Sequence, residues 1–438
     1  MLAFACAFTM FAGAAFTDQA DISKNNADAV ELLTALNIIQ GDPDGSFAPE
    51  REVTRAEMAK MIYVIRNGGN DNADAYKTVS TSFTDISGHW AEGYIKYLQN
   101  TGIVAGKSAT RFDPDSTVTT GEAMKMALVL AGYRADKAGL TGTQWLNNTV
   151  SYATTYGLTK DVNSAIAGGC TRQDAAQILS NTLTEVNAVQ WSEVTNSFLN
   201  DSEKGLAWGG EPMTVGEKWM DLKIETGFIT KVPNAKKNAK GVEFMYDSDN
   251  DGTIEDGEAV TFKNVTTDLS DMMGYEVKVV WNDDKTADAD AIYGVYKTSN
   301  NVTYEVNWKD IEQNNAKVKF GGKSYDLGAV PAEIIAANQE DFLVYADADW
   351  NNPYHDWTSA SFDKAALADN VTFIDCDGDG KLDAAQIHTE AVTKVTYVGT
   401  NNITTNGLVG AQDLYGVDYT NNPKLDDINV YEGVAKDD

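Results

Sequence analysis

The first 190 residues contain one sequence pattern that occurs three times. A Phe-x-Pro turn, a short extended stretch and the start of a helix occur over 47–57 and again over 112–122. A weaker third copy of the helix start follows Cys170, at 171–175. Repeats of this kind pack on their neighbours, because a single unit cannot bury its own apolar face. The pattern therefore predicts an array of helical repeats in the first part of the chain.

Each repeat is expected to contain two helices joined by a turn-rich loop. The second helix begins at Thr54-x-x-Glu57 in the first copy and at Thr119-x-x-Glu122 in the second. Both match a capping box, in which the threonine hydroxyl and the glutamate carboxylate each accept a hydrogen bond from an exposed backbone N–H group. We therefore expect helices to start at these threonines.

The chain is strongly acidic, with 65 Asp and Glu against 34 Lys and Arg and a formal net charge of −31. A surface of this sign repels nucleic acid and anionic lipid, which excludes both as main partners. The carboxylates suit a secreted protein that meets divalent cations, and solubility alone explains them equally well.

The N-terminus has the features of an export signal. Residues 2–15 are apolar, and Ala12-Gly13-Ala14 fits a small-residue cleavage site. The run is too short to span a bilayer, although a basic stretch before it is missing and a buried N-terminal helix is the alternative. We predict a signal peptide with a truncated start over 1–14 and no membrane span in the mature protein.

Helical patterning fades after about residue 189, and all six arginines lie at or before Arg172. Beyond 220, apolar residues alternate with polar ones, for example over 242–246 and 302–308, which indicates half-buried strands. The predicted fold class is therefore α+β and multidomain, with helical repeats followed by β-rich, sandwich-like modules. The predicted segments are repeats at 16–67, 83–133 and 138–189, a linker at 190–220, and β-rich modules at 221–300 and 301–438.

Residues 247–258 match the twelve-residue calcium loop at every diagnostic position. Carboxylates at loop positions 1, 3, 5 and 12 supply hard oxygen ligands, and Gly252 permits the sharp turn. An acidic, solvated turn is the alternative. The candidate Ca²⁺ ligands are Asp247, Asp249, Asp251, Thr253, Glu255 and Glu258.

A second calcium-like loop starts at Asp375 and ends in Gln386 instead of glutamate. It lacks the bidentate carboxylate, so weaker binding is expected. Strand patterns lead into both loops, which predicts hairpins stapled by calcium. The candidate ligands are Asp375, Asp377, Asp379, Lys381, Asp383 and Gln386.

Signals for catalysis are poor. The three histidines show no zinc spacing, and there is no nucleophile elbow, phosphate loop or dinucleotide fingerprint. Carboxylates are too abundant to single out a glycosidase pair. The aromatic residues of 350–357 could stack on sugars or pack in a core. The sequence therefore predicts a protein that is not an enzyme.

The repeats resemble the S-layer homology (SLH) family over 16–189. The first copy carries Phe16-Thr-Asp18, Gly41, Phe47-x-Pro49 and Val53-Thr-Arg-Ala-Glu57. The second carries Phe83-Thr-Asp85, His89-Trp90-Ala91, Gly106, Phe112-x-Pro114 and Thr119-x-x-Glu122. The third retains Trp145, Gly157 and Thr171-Arg172.

The resemblance implies that three repeats form a pseudo-threefold spindle. Its grooves would bind secondary cell-wall polymer on peptidoglycan, often a pyruvylated glycan whose carboxylate suits a guanidinium group. The residues carried over as polymer-binding are Arg55, Arg172, Asp18, Asp85, Trp90, Trp145, Gly41 and Gly106.

Departures from the family pattern imply unequal grooves. Thr120 stands where the second arginine is expected, and Asn25 replaces the first aromatic residue. We expect one strong groove, the one that includes Arg55. The resemblance thus implies a non-catalytic S-layer protein that self-associates on the cell surface. The alternative is an anchored exoenzyme, glycan-binding protein or adhesin whose cargo is the β-rich region.

Overall fold

The chain forms two compact units. A computed structural model describes residues 16–202, 205–206, 211–233, 240–252, 254, 257–307, 310–314, 317–328, 343–346, 354–355, 370–388, 395–398 and 403–405. The first unit contains the residues up to Glu225 together with Val279–Tyr296. The second contains Thr226–Lys278 together with the residues from Lys297 onward. The predicted signal peptide over 1–14 lies outside the described residues.

The α-helices of the described residues lie in the first unit, and none of them is both long and apolar enough to cross a membrane. They are α1 (Ala27–Ala35), α2 (Arg55–Arg66), α3 (Glu92–Asn100), α4 (Thr120–Leu130), α5 (Trp145–Thr155), α6 (Arg172–Thr184) and α7 (Val215–Met220). Thr54 and Thr119 form the two expected capping boxes with Glu57 and Glu122. Before α6, the Thr171 hydroxyl accepts a hydrogen bond from the Asp174 N–H group. The predicted helix starts are confirmed.

The region after α6 is rich in strands, so the predicted helical-then-β order is confirmed. The strands are β1 (Val189–Ser192), β2 (Ser197–Ser202), β3 (Gly205–Leu206), β4 (Leu222–Lys231), β5 (Val242–Tyr246), β6 (Ala259–Phe262), β7 (Val277–Asn282), β8 (Ile292–Lys297), β9 (Val302–Asn307), β10 (Glu312–Asn314), β11 (Lys317–Phe320), β12 (Lys323–Asp326), β13 (Leu343–Ala346), β14 (Tyr354–His355), β15 (Asn370–Asp375), β16 (Ala384–His388), β17 (Val395–Val398) and β18 (Ile403–Thr405).

Antiparallel hairpins dominate the second unit. Strand β5 pairs with β6 and with the end of β4, and β15 pairs with β16. A five-stranded sheet has the order β14-β13-β16-β15-β9, in which β13 and β16 are parallel. The structure groups 226–278 with the residues from 297 onward, so the boundary predicted at 300 does not separate two units.

The segments that precede α2, α4 and α6 meet in a closed ring of backbone hydrogen bonds. The Val53 N–H group donates to the Cys170 carbonyl, Cys170 donates to Val118, and Val118 donates to Val53, each at 2.9 Å. All three side chains are buried. Each of these N–H groups has a backbone partner, so the ring buries them without the cost of an unpaired donor. The ring joins all three copies of the sequence pattern.

The core of the first unit extends beyond the helical repeats. Val215 and Met220 on α7 are buried in the same cluster as the repeat helices, and so are Val280 and Tyr296 from much later in the sequence. The guanidinium carbon of Arg66 also lies 3.4 Å from the centre of a Trp219 ring. The segment predicted as a linker, 190–220, instead contains β1, β2, β3 and α7, because its apolar residues complete this core.

Candidate functional site

Arg55 connects the first repeat to the second. It is the first residue of α2, and its Nε and Nη2 atoms donate to the carbonyls of Phe112 and Ala105, each at 2.9 Å. Its guanidinium carbon lies 4.5 Å from the centre of the Phe112 ring. The side chain is 5% exposed. Burial lowers the pKa of Arg55, and the nearby Glu122 carboxylate opposes that effect.

A carboxylate on α4 links Arg55 to a lysine, and a second lysine on the same helix lies near a tryptophan ring. Glu122 on α4 pairs with Lys107 and lies 3.6 Å from Arg55 Nη1. Lys125, one helical turn further along α4, lies 5.3 Å from the centre of the Trp145 ring. Burial lowers the pKa of Lys125, with Glu122 opposing it. We call Arg55, Lys107, Glu122, Lys125 and Trp145 the Arg55 cluster. It combines three cationic groups with one carboxylate and one aromatic ring.

Arg172 makes the corresponding link from the third copy to the first. Its Nη1 atom lies 3.1 Å from a carboxylate oxygen of Asp42, and its Nη2 atom donates to the Gln40 carbonyl. Its guanidinium carbon lies 5.1 Å from the centre of the Phe47 ring. This arrangement repeats that of Arg55, except that an aspartate follows Gly41 where Lys107 follows Gly106.

The third junction, between the second and third copies, has a threonine at the position where the other two have an arginine. Thr120 occupies the arginine position and is fully buried beside the Cys170 thiol. The Asn26 amide lies instead between the first and third copies, where its Nδ2 atom donates to the Asp161 carbonyl and to Gln177 Oε1, both at 3.1 Å. The junction between the second and third copies therefore has no guanidinium group at the arginine position.

The candidate residues Asp18 and Asp85 hold loops in place. The Asp18 carboxylate accepts from the N–H groups of Phe47 and Ala48, both at 2.7 Å, and Asp85 accepts in the same way from the second Phe-x-Pro loop. Ala48 has a φ of 54°, which these bonds help to stabilise. Burial acts to raise the pKa of both carboxyl groups, but the backbone donors outweigh it and the pKa of each is lowered.

The candidate glycines pack against their own loops, whereas one candidate tryptophan faces solvent. A Cβ atom on Gly106 would lie 2.4 Å from the Arg111 carbonyl, and one on Gly41 would lie 3.1 Å from the Phe16 ring. Trp90 is 51% exposed. Close packing therefore requires glycine at 106, whereas a Cβ atom at 41 would require the Phe16 ring to move by a few tenths of an ångström. The role of the eight candidate residues in binding a polymer stays a prediction.

The first calcium-like loop joins β5 to β6. Carboxylate oxygens of Asp247, Asp249 and Glu258 lie within 4.8 Å of one another, a donor set that suits Ca²⁺. The Asp251 N–H group donates to the first two of these carboxylates. The candidate ligands Thr253 and Glu255 lie outside the described residues. The predicted hairpin is confirmed for this loop.

The second loop joins β15 to β16. Asp375, Asp377 and Asp383 bring carboxylate oxygens within 4.8 Å of one another. Burial, together with the two neighbouring carboxylates, raises the pKa of Asp383 to about 6. Asp379 instead pairs with the Lys381 side chain.

The candidate ligand Gln386 lies elsewhere. It is buried on β16, where its Nε2 atom donates to the carbonyls of Asp271 and Met273 at 3.2 and 2.7 Å. Counting along the calcium-loop pattern placed it at the final ligand position. In the structure β16 already begins at Ala384, so Gln386 lies within the strand and Asp383 is the last carboxylate of the acidic cluster.

Sequence reasoning missed Lys107, Glu122 and Lys125 as site residues. Two signals could have identified them. Lys107 follows the loop glycine of the second repeat, and the other two are three residues apart on α4, which places them on one helix face. No local sequence pattern predicts that Trp145, from the next repeat, lies close to Lys125.

Comparison with known proteins identifies the repeats. Residues 15–59 and 82–124 match the family model of the S-layer homology domain. The "Cell surface protein" of Thermoanaerobacter kivui is 28% identical over 215 residues, which are 49% of this chain and 27% of that protein. The "Surface layer protein" of Brevibacillus choshinensis is 29% identical over 136 residues, 31% of this chain and 12% of that protein. The "Amylopullulanase" of Thermoanaerobacterium thermosulfurigenes is 30% identical over 175 residues, 36% of this chain and 9% of that protein.

The helical repeats and these matches define a class of protein, the cell-surface proteins that carry S-layer homology domains. This chain is an SLH-domain protein, secreted and anchored at the cell wall. It spans about a quarter or less of the length of the relatives described above.

Proposed function

We propose that this protein is held on the cell surface by an acidic cell-wall polymer that binds at the Arg55 cluster. The supporting observation is that Arg55 and Lys107 lie beside the Glu122 carboxylate, and that Lys125, one helical turn further along α4, lies near the Trp145 ring. Cations attract a carboxylate group, and an aromatic ring can stack on a sugar. The cluster supplies local positive charge on a protein whose net charge is −31.

The proposal extends to the third copy of the pattern, over 138–189, as a third SLH repeat. The backbone ring at Val53, Val118 and Cys170 supports a pseudo-threefold spindle, since each copy contributes one segment to it. The ligand class is a secondary cell-wall polymer that carries carboxylates, such as pyruvyl ketals, on peptidoglycan. A planar guanidinium group and two lysines match that chemistry.

Co-sedimentation of the full chain with cell-wall sacculi tests this proposal. The wild-type chain is expected to pellet with intact sacculi and to stay in solution with sacculi stripped of their secondary polymer. The double variant Lys107→Glu, Lys125→Glu should lose at least ten-fold in affinity, because two attractive charges become repulsive. Lys77→Glu is the matched control, since Lys77 is half exposed and pairs with Asp74 outside the cluster. Equal binding by the double variant and the control would contradict the site.

The second unit is proposed as a non-catalytic assembly or display region stabilised by calcium, through which the protein self-associates into a surface layer. The two carboxylate clusters at the ends of hairpins support this, because crowded carboxylates repel each other unless a cation lies between them. Asp247, Asp249 and Glu258 would hold one Ca²⁺ ion, and Asp375, Asp377 and Asp383 a second.

Removing calcium is expected to destabilise the second unit. A ligand that binds the folded state adds about 2.7 kcal/mol when its free concentration is about 100 times its Kd. Calorimetry of the full chain should therefore show a lower melting temperature for one transition in EDTA than in Ca²⁺. Asp247→Asn and Asp375→Asn together should abolish the difference, whereas Asp326→Asn, at an exposed ion pair with Lys317, should retain it. Identical melting of the wild type with and without Ca²⁺ would refute calcium binding.

The alternative is an anchored exoenzyme or a glycan-binding protein whose cargo is the second unit. The similarity to a protein named amylopullulanase supports this candidate. Incubating the full chain with a panel of polysaccharides distinguishes the two. Turnover or retention that survives the Lys107→Glu, Lys125→Glu change would favour the alternative, and calcium-dependent sheets seen by negative-stain microscopy would favour the structural role.

A further inference from the structure

We infer that the Arg172 junction, although built like the Arg55 junction, is silenced as a polymer site by the carboxylate of Asp42, so that each chain binds a single anionic group. This inference rests on the proposed function. It identifies the residue after the loop glycine, Lys107 in the second repeat and Asp42 in the first, as the determinant of which junction binds.

The two junctions share one scaffold. Both arginines begin a helix, lie over the ring of a Phe-x-Pro phenylalanine and donate to a carbonyl of the neighbouring loop. The carbonyl acceptors are the residues directly before the loop glycines, Ala105 and Gln40. A difference in binding between the junctions must therefore come from the side chains around the guanidinium groups.

The residue after the loop glycine has opposite charge at the two junctions, Lys107 at one and Asp42 at the other. Asp42 Oδ1 lies 3.1 Å from Arg172 Nη1, within hydrogen-bond distance. In the other junction Arg55 Nη1 lies 3.6 Å from Glu122, and that carboxylate is also paired with Lys107. Asp42 thus presents to Arg172 the group that a ligand carboxylate would present. A ligand would have to displace Asp42 and remain beside its negative charge, which is unfavourable at this distance.

The lysines at equivalent positions of α2 and α4 have different partners, and this difference also favours binding at the Arg55 junction. Lys60 on α2 occupies the position that Lys125 occupies on α4, and Lys60 is paired with Asp71 at 3.0 Å. In the segment that follows α4, the aspartate Asp136 pairs instead with Arg134 at 2.8 Å. Lys125 therefore retains its charge for the Arg55 cluster, whereas the charge of Lys60 is neutralised within its own repeat.

Asp42 can be replaced without removing a structural support. Its side chain is 38% exposed and pairs with Arg172. The turn that contains it is closed by backbone bonds, from the Asp42 N–H group to the Ser46 carbonyl and from the Gly45 N–H group to the Asp42 carbonyl. The loop should therefore keep its shape when the carboxylate is exchanged for a lysine.

Isothermal titration calorimetry of the full chain with a pyruvyl-ketal monosaccharide tests the inference by stoichiometry. We expect one site per chain for the wild type, none for Lys107→Asp, and two for Asp42→Lys. The double exchange Lys107→Asp, Asp42→Lys should return one site. Asp74→Lys, an exposed reversal of the same size, should leave one site, and circular dichroism checks that each variant is folded.

The outcomes separate the inference from the proposed function. Two sites in the wild type, or one site in a folded Asp42→Lys variant, would overturn the silencing role of Asp42 while the anchoring role stands. Absence of binding by the folded wild type and by every variant would overturn the proposed ligand class, and the inference with it.

Discussion

Replacing Arg55 with alanine is expected to lower the free energy of unfolding of the helical unit by about 3–5 kcal/mol. The change leaves the buried carbonyls of Phe112 and Ala105 without their donor, and it removes a cation from the vicinity of Glu122. It also exposes one face of the Phe112 ring. A buried acceptor that loses its donor incurs its full desolvation penalty, so the loss exceeds that of a surface ion pair.

Urea unfolding of the full chain, followed by circular dichroism, measures this effect. Arg111→Ala is the matched control, because the Arg111 side chain is 64% exposed and its nearest carboxylate atoms lie 3.8 and 3.9 Å away. It should change stability by less than about 1 kcal/mol. Arg55→Lys should fall between the two, since one ammonium group cannot reproduce the planar fork. If Arg55→Ala and Arg111→Ala proved equally stable, Arg55 would have no structural role.

Ending the chain at residue 190, where the sequence predicts the helical region to stop, is expected to prevent stable folding. Such a fragment lacks Val215, Met220, Val280 and Tyr296, which are buried in the same core as the repeat helices. Removing one large buried side chain typically costs about 2–5 kcal/mol. Four such losses amount to about 8–20 kcal/mol, which is as large as the total stability of about 5–15 kcal/mol that is usual for a native domain.

Thermal melting followed by circular dichroism compares residues 16–190 with the full chain. The fragment should show a broad or absent transition, whereas the full chain should melt cooperatively. Met220→Ala in the full chain provides an intermediate case, with an expected loss of about 2–5 kcal/mol. A fragment that melts cooperatively at the temperature of the full chain would show that the later segments are dispensable.

Local sequence signals predicted local structure well. The capping boxes at Thr54 and Thr119 fixed two helix starts, because the bonds they form join residues three apart. The calcium-like loops were correctly placed in hairpins for a similar reason, since strand alternation on both sides is a local property. Gln386 was predicted to close the second loop, whereas the register of β15 and β16 brings Asp383 to the carboxylate cluster and Gln386 to the carbonyls of Asp271 and Met273.

The sequence predicted which residue types form the candidate site, but it predicted the roles of those residues less well. Arg55 and Arg172 were singled out as the anion-binding groups, and in the structure both guanidinium groups also join neighbouring repeats. Asp18 and Asp85 were predicted to bind the polymer, and in the structure both carboxylates accept hydrogen bonds from backbone N–H groups. A motif shows that a residue type is used at a position, but the partners of both arginines come from a different repeat.

The amino-acid sequence by itself determined the repeat pattern, the helix starts, the change from helical to β structure and the family, because these depend on residue types at short spacing. The tertiary structure alone decided which charges meet. Lys107 and Lys125 surround Arg55, whereas Asp42 neutralises Arg172, and residues after 210 complete the helical core. The physical reason is that electrostatic and packing energies depend on distances between residues of different repeats. Those distances are set only when the repeats pack on one another.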